Sequence, residues 1–102
     1  MARKAMMNPP VHPGEILKEL FHEAGVSSHA AGLKMRIPAN RLTTIISGKR
    51  AITADTALRL ACLFGNSAGF WMNLQKNYEL DLARYELAGR IEREVEPLRR
   101  AS

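Results

Sequence analysis

The sequence predicts an all-α fold in a single compact domain. Apolar residues recur at three- and four-residue spacing along most of the chain, and no alternating run of β-branched residues interrupts them. Glycine and proline punctuate the pattern at intervals suited to short helices. At 102 residues the chain is long enough for one enclosed core and short for a second independent domain.

Residues 1–11, with Pro9 and Pro10 and no period, read as a flexible N-terminal arm carrying two positive charges. In "HPGEILKELFHEAG" the apolar residues Ile16, Leu17, Leu20, Phe21 and Ala24 predict a first helix over roughly 14–24. Pro13 sits where a first-turn proline is tolerated, and Gly25 is a stop. Ser27 or Ser28 is placed to cap a second helix bearing Ala31 and Met35 and ending near Arg36. Pro38 suits the first turn of a third helix with Leu42, Ile45 and Ile46, closed by Gly48.

The segment "AITADTALRLACLFG" predicts a fourth helix, with Thr53 as N-cap, Asp55 near its positive end, and Ala57, Leu58, Ala61 and Phe64 on one face before Gly65. Ser67 is placed to cap a fifth, holding Phe70, Trp71, Leu74 and Tyr78. The helical domain is therefore expected over 12–78. Residues 79–102 form a C-terminal helical extension whose narrow stripe of Leu80, Ala83, Leu87, Ile91 and Val95 needs a surface to cover it. Glu86 with Arg90, and Arg90 with Glu94, stand at ion-pair spacing, while Gly89 inside the pattern costs about 1 kcal/mol relative to alanine.

Composition narrows the function classes. The single Cys62 excludes an internal disulfide, no apolar run approaches a membrane span, and no apolar stretch follows Arg3 and Lys4 as in a secretion signal. A cytoplasmic protein with no membrane association is expected. The net charge of +5 is unevenly placed. Between Glu23 and Asp55 there is no acidic residue, while Lys34, Arg36, Arg41, Lys49 and Arg50 supply five positive charges. The rest of the chain balances. Such a map fits a polyanion binder, and it also fits a solvated basic face with no partner.

The segment 28–47 satisfies the geometry of a helix-turn-helix. Two short helices crossing steeply need a small residue where they approach, which Gly32 supplies, and apolar inner faces, which Ala31, Met35, Leu42 and Ile45 supply, with Ile37 plugging the turn. The outward face of the second helix then carries Ala39, Asn40, Thr43, Thr44 and Ser47, with Arg41 to one side. Asparagine is suited to an adenine edge and arginine to a guanine edge or a phosphate. Lys49 and Arg50, in the loop beyond, are placed to hold a phosphate backbone while the helix lies in a major groove. Double-stranded DNA is the partner these residues predict.

The motifs "HPGEILKEL", "RIPANRLTTIISGKRAITADTALRLACLFG" and "FWMNLQKNYEL" resemble, in order and over about residues 11–82, the HigA-type antitoxins, a branch of the Xre and phage-repressor-like helix-turn-helix regulators. The resemblance implies a compact five-helix phage-repressor-like domain, here with an additional C-terminal helix. It also implies a homodimer on a palindromic operator, a repressor of its own operon, and neutralisation of a cognate RelE-like toxin, an mRNA endoribonuclease. By position it places Pro38, Ala39, Asn40, Arg41, Thr43 and Thr44 on the recognition helix, Lys49 and Arg50 on the following loop, and Ser28 facing a phosphate. Arg36 stands at a turn position where many helix-turn-helix proteins have glycine. Two other readings stay open: an interaction module that chiefly holds a toxin, and a stand-alone phage-type regulator.

The remaining features have plainer readings. Phe70 and Trp71 are expected in the core, and Cys62 among apolar neighbours as a buried structural thiol. His12, His22 and His29 lack ligand partners at metal-binding spacing, His12 being placed for local capping. Glu15, Glu19 and Glu23 form an acidic row suited to water or to a basic toxin. No nucleophile–base pair, paired catalytic carboxylates or phosphate-cradling loop is present, so neither an enzyme nor a cofactor is expected.

Overall fold

The computed structural model describes residues 9–98, so most of the expected N-terminal arm lies outside the described residues. Every element among them is helical: α1 Pro13–Ala24, α2 Ser28–Met35, α3 Ala39–Ile46, α4 Ala54–Phe64, α5 Ala68–Leu87 and α6 Arg90–Glu94. None is long and apolar enough to cross a membrane.

The helix ends follow from local chemistry. His12 caps α1 through its imidazole, whose Nδ1 accepts the Gly14 N–H at 2.9 Å. Of the two serines that suit the start of α2, Ser27 is the cap, accepting the Ala30 N–H at 3.0 Å. Ser67 does the same for Phe70 in α5. Thr53 holds the N-cap position of α4, but its hydroxyl turns towards Thr56 at 3.4 Å and leaves the helix N–H groups uncapped. Pro38 precedes α3 as its N-cap residue rather than lying in its first turn, because its ψ of 140° is still extended.

Leu17, Phe21, Ala31, Met35, Ile37, Leu42, Ile45, Ile52, Ala57, Leu60 and Trp71 form the core. Trp71 is wholly buried, and its indole N–H donates to Asn66 at 3.0 Å. Three core expectations are overturned. Leu60 is buried in place of Leu58, which is 61% exposed. Cys62 is exposed, since it follows Leu58 by four residues on the same outer face of α4. Phe70 is 41% exposed, standing edge-on to Trp71 at the rim.

The helix α5 continues unbroken past Tyr78 to Leu87. The break falls at Ala88 and Gly89, both at positive φ, so the interior glycine ends the long helix and the stripe from Leu80 to Val95 is divided between α5 and α6. Arg90 pairs with Glu94 at 2.8 Å within α6, while Glu86 lies across the break.

Two glycines seat α3. A side chain on Gly32 would stand 2.9 Å from the Ile37 carbonyl and 3.3 Å from Ala39, so α2 meets the start of α3 backbone to backbone. A side chain on Gly14 would strike the carbonyl of Ile45 and the Cα of Ile46, so α1 meets its end in the same way. Arg36 makes the turn between α2 and α3 in the left-handed region, with φ 58°. Its backbone N–H closes onto Leu33, and that of Ile37 onto Gly32.

Gly32→Ala is expected to cost roughly 1–3 kcal/mol through overpacking, and Gly14→Ala more, despite the better helix propensity of alanine. Urea denaturation of the two variants checks this; a Gly14→Ala protein as stable as the parent would contradict the contact.

A second expectation concerns pH. Burial lowers the pKa of His12 below its ordinary 6.5, against the opposing effects of a hydrogen bond with the Arg50 backbone and the charge of Glu15. The folded protein therefore takes up this proton less readily than the unfolded chain. Stability tied to the neutral imidazole is complete above pH 6.5 and is lost as the pH falls through the lowered folded value. Thermal melts between about pH 7.5 and 5 should show a larger drop for the parent than for His12→Asn, whose cap does not titrate. Equal drops would remove His12 from this dependence.

Candidate nucleic-acid interface

The helix α3 is buried on one side and open on the other. Leu42 and Ile45 are fully enclosed against α1 and α2, which turns Asn40, Thr43 and Ser47 to solvent, with Ala39, Arg41 and Thr44 half-buried at the edges. Pro38 is exposed at the head of the helix. Ser28, the first residue of α2, is half-buried.

The hydroxyls on this face are already ordered. Thr44 Oγ1 donates to the Asn40 carbonyl at 2.6 Å and also lies 3.2 Å from that of Arg41. Thr43 Oγ1 donates to the Asn40 carbonyl at 3.3 Å, and Ser47 Oγ to that of Thr44 at 3.0 Å. Their protons are committed to the helix, and their lone pairs are left for a donor from outside. The Asn40 carboxamide is exposed and has no partner among the described residues, so both its donor and acceptor are available.

The loop after α3 is held at both ends. Gly48 N–H donates to Ile45 and Lys49 N–H to Thr44. The buried Gln75 of α5 accepts the Ile52 N–H on Oε1 at 2.8 Å and donates from Nε2 to Glu79 at 2.8 Å. Nothing local in the sequence marks Gln75, whose contact spans 23 residues. The consequence is that Lys49 and Arg50 stand exposed on a loop of defined path beside α3.

Lys34, Arg36, Lys49 and Arg50 have no ion-pair partner among the described residues. Arg41 differs. Its Nη1 lies 2.6 Å from Asp55 Oδ2. Asp55 is also held by Arg59 Nε at 3.1 Å, and Arg59 Nη1 donates to the Met35 carbonyl at 2.8 Å. The hydrogen bonds from Arg41 and then Arg59 hold the Asp55 carboxyl below its ordinary pKa. The sequence marked Asp55 only as a helix-start charge, because its pairing with Arg41 is made across 14 residues.

The residues brought together are thus Asn40, Arg41, Thr43, Thr44 and Ser47 on one helix face, with Lys49 and Arg50 on the adjoining loop. They supply neutral donors and acceptors at the centre and positive charge at the rim. Among the described residues no group of three histidine, cysteine or acidic side chains is placed to hold a metal. Glu15, Glu19 and Glu23 are exposed along α1.

No protein-family model matches the chain. A HigA-family addiction module antidote protein from Coxiella burnetii is 46% identical and superposes with a TM-score of 0.82, over 89% of this chain and all of that one. Pseudomonas aeruginosa antitoxin HigA, solved with the higBA promoter, is 42% identical with a TM-score of 0.82, over 87% of this chain and 98% of that one. Virulence-associated protein I of Dichelobacter nodosus is 42% identical over 79 residues, 76% of this chain and 73% of the relative.

Proposed function

The chain belongs to the HigA family of helix-turn-helix antitoxins, a family of regulators and not of enzymes, and from that premise we propose that it is a homodimeric repressor that reads operator DNA with α3. One observation carries the reading: a seated helix presents the free carboxamide of Asn40 beside hydroxyls whose lone pairs face outward, and exposed cations with no carboxylate partner among the described residues flank it. The Pseudomonas relative, solved with its promoter, supports it.

In this reading α3 enters the major groove. Asn40 pairs with a base edge, Thr43, Thr44 and Ser47 accept from bases or bound water, and Ala39 and Pro38 allow close approach. Arg41 stands at the edge of the groove. Lys49, Arg50 and Ser28 hold phosphates, and Lys34 and Arg36 add to the positive field. A two-fold dimer sets the two recognition helices about 34 Å apart, one turn of DNA. The exposed apolar residues Leu80, Ile91 and Val95 of α5 and its extension form the surface we assign to the second subunit.

The repressor acts in the cytoplasm on its own operon, and its protein partner is a RelE-like mRNA endoribonuclease toxin. A second reading, an interaction module whose main task is to hold that toxin, has the exposed row of Glu15, Glu19 and Glu23 in its favour, since a nuclease acting on mRNA is expected to be basic. Co-purification with the product of an adjacent short basic reading frame tests the toxin part.

The DNA part is tested by fluorescence anisotropy on the chain's own upstream DNA against random duplex at two salt concentrations. Preferential, salt-sensitive binding is expected; equal binding to both would shift the weight to the interaction module. Replacing both Lys49 and Arg50 with alanine should weaken binding to every sequence and reduce the salt slope by about two. Asn40→Ala should cost roughly 1–3 kcal/mol on the operator and little on random DNA. Equal losses on both would contradict base reading by Asn40. Truncation after Leu82 should give a monomer by sedimentation, and a truncated protein that stays dimeric would remove the C-terminal stripe from the interface.

A further inference from the structure

We propose that Asp55 is a specificity-determining residue of this interface: its carboxylate withholds Arg41 from phosphates at large, and so restrains binding to DNA of the wrong sequence. This rests on the reading of α3 as a DNA reader and adds to it a residue outside that helix.

The geometry is asymmetric. Asp55 is anchored within its own helix by Arg59, whose Nε lies 3.1 and 3.3 Å from its two oxygens. Arg59 is anchored in turn by the Met35 carbonyl at 2.8 Å, in the last turn of α2. Against this fixed carboxylate lies Arg41 at 2.6 Å, next in sequence to Asn40 on α3. The Asp55 side chain is 55% exposed and that of Arg41 29%. Ion pairs this open to water contribute little to stability, so the arrangement matters chiefly for where charge is available.

Asp55 is also the first acidic residue after Glu23 in sequence, and it stands at the edge of the most cationic part of the molecule. Random DNA offers such a surface phosphates and little else, and its affinity tracks the cations free to meet them. Pairing removes Arg41 from that number and sets a negative charge beside it. An operator complex draws part of its energy from base edges read by Asn40 and Thr43, and so loses proportionately less. Repelling the wrong partner is a recognised source of specificity.

The test compares the full-length parent with Asp55→Asn, Asp55→Glu, Arg41→Ala and the double variant Asp55→Asn with Arg41→Ala. Anisotropy on upstream and random duplexes at several salt concentrations is the readout, and thermal melts check folding. Asp55→Asn should bind random DNA roughly three- to tenfold more tightly at low salt, with a salt slope steeper by about one, and its operator preference should fall. Asp55→Glu, which keeps the charge, should restore most of the preference. In the Asp55→Asn background, adding Arg41→Ala should cancel the gain on random DNA.

A purely structural Asp55 would lower both affinities together and leave the slope unchanged. That result, or an unaltered ratio in Asp55→Asn, overturns this inference alone provided the parent prefers its own upstream DNA. A parent with no such preference overturns the DNA reading and this inference with it.

Discussion

Three backbones approach one another closely around α3, and that contact governs how the helices around it are placed. Gly32 lets α2 meet the start of the helix, and Gly14 lets α1 meet its end. With contact at both ends, α3 has neither room to slide nor freedom to roll, and its buried Leu42 and Ile45 fix which face is presented. Because interiors are close-packed, a methyl group at either glycine has nowhere to go except by moving the helix itself. The exposed row from Asn40 to Ser47 is therefore a consequence of core packing, although none of its members is in the core.

The same scaffold positions the charge. The loop that carries Lys49 and Arg50 is tied by its backbone to α3 at one end and by Gln75 to α5 at the other, so its cations keep a constant relation to the helix. Among the described residues four of the five cations in the basic segment have no ion-pair partner, and the fifth, Arg41, answers to Asp55. The surface is accordingly a graded one: neutral hydrogen-bonding groups at the centre, an internally compensated arginine beside them, and free charge at the margin. Graded surfaces of this kind separate positioning on phosphates from reading of bases.

Much of this was legible in the chain because it is local. Helical spacing, caps and stops placed α1 to α4 within a residue or two, and the pattern of Ala31, Gly32, Met35, Ile37, Leu42 and Ile45 announced the crossing. What the sequence does not show is non-local or ambiguous in register. Gly14 reads as part of a helix start, and its packing against Ile45 is visible only in three dimensions. In "ALRLACLF" almost every position is apolar, so periodicity alone does not decide between Leu58 and Leu60, nor between a buried and an exposed Cys62. Gln75, polar and marked by no sequence pattern, is inside because it completes the Ile52 backbone. The end of α5 was obscured by the apolar stripe, which continues through the glycine that breaks the helix.

If the proposed reading holds, the open face of α3 and the loop after it are where DNA meets this protein. Titrating isotopically labelled protein with a duplex from its own upstream region, and following the backbone amide resonances, locates that contact residue by residue. Perturbations should concentrate at Ser28 and at residues 38–50, with α5 beyond Tyr78 silent apart from effects of dimerisation. Shifts gathered on α1 or the C-terminal helices, with residues 38–50 unmoved, would contradict that reading.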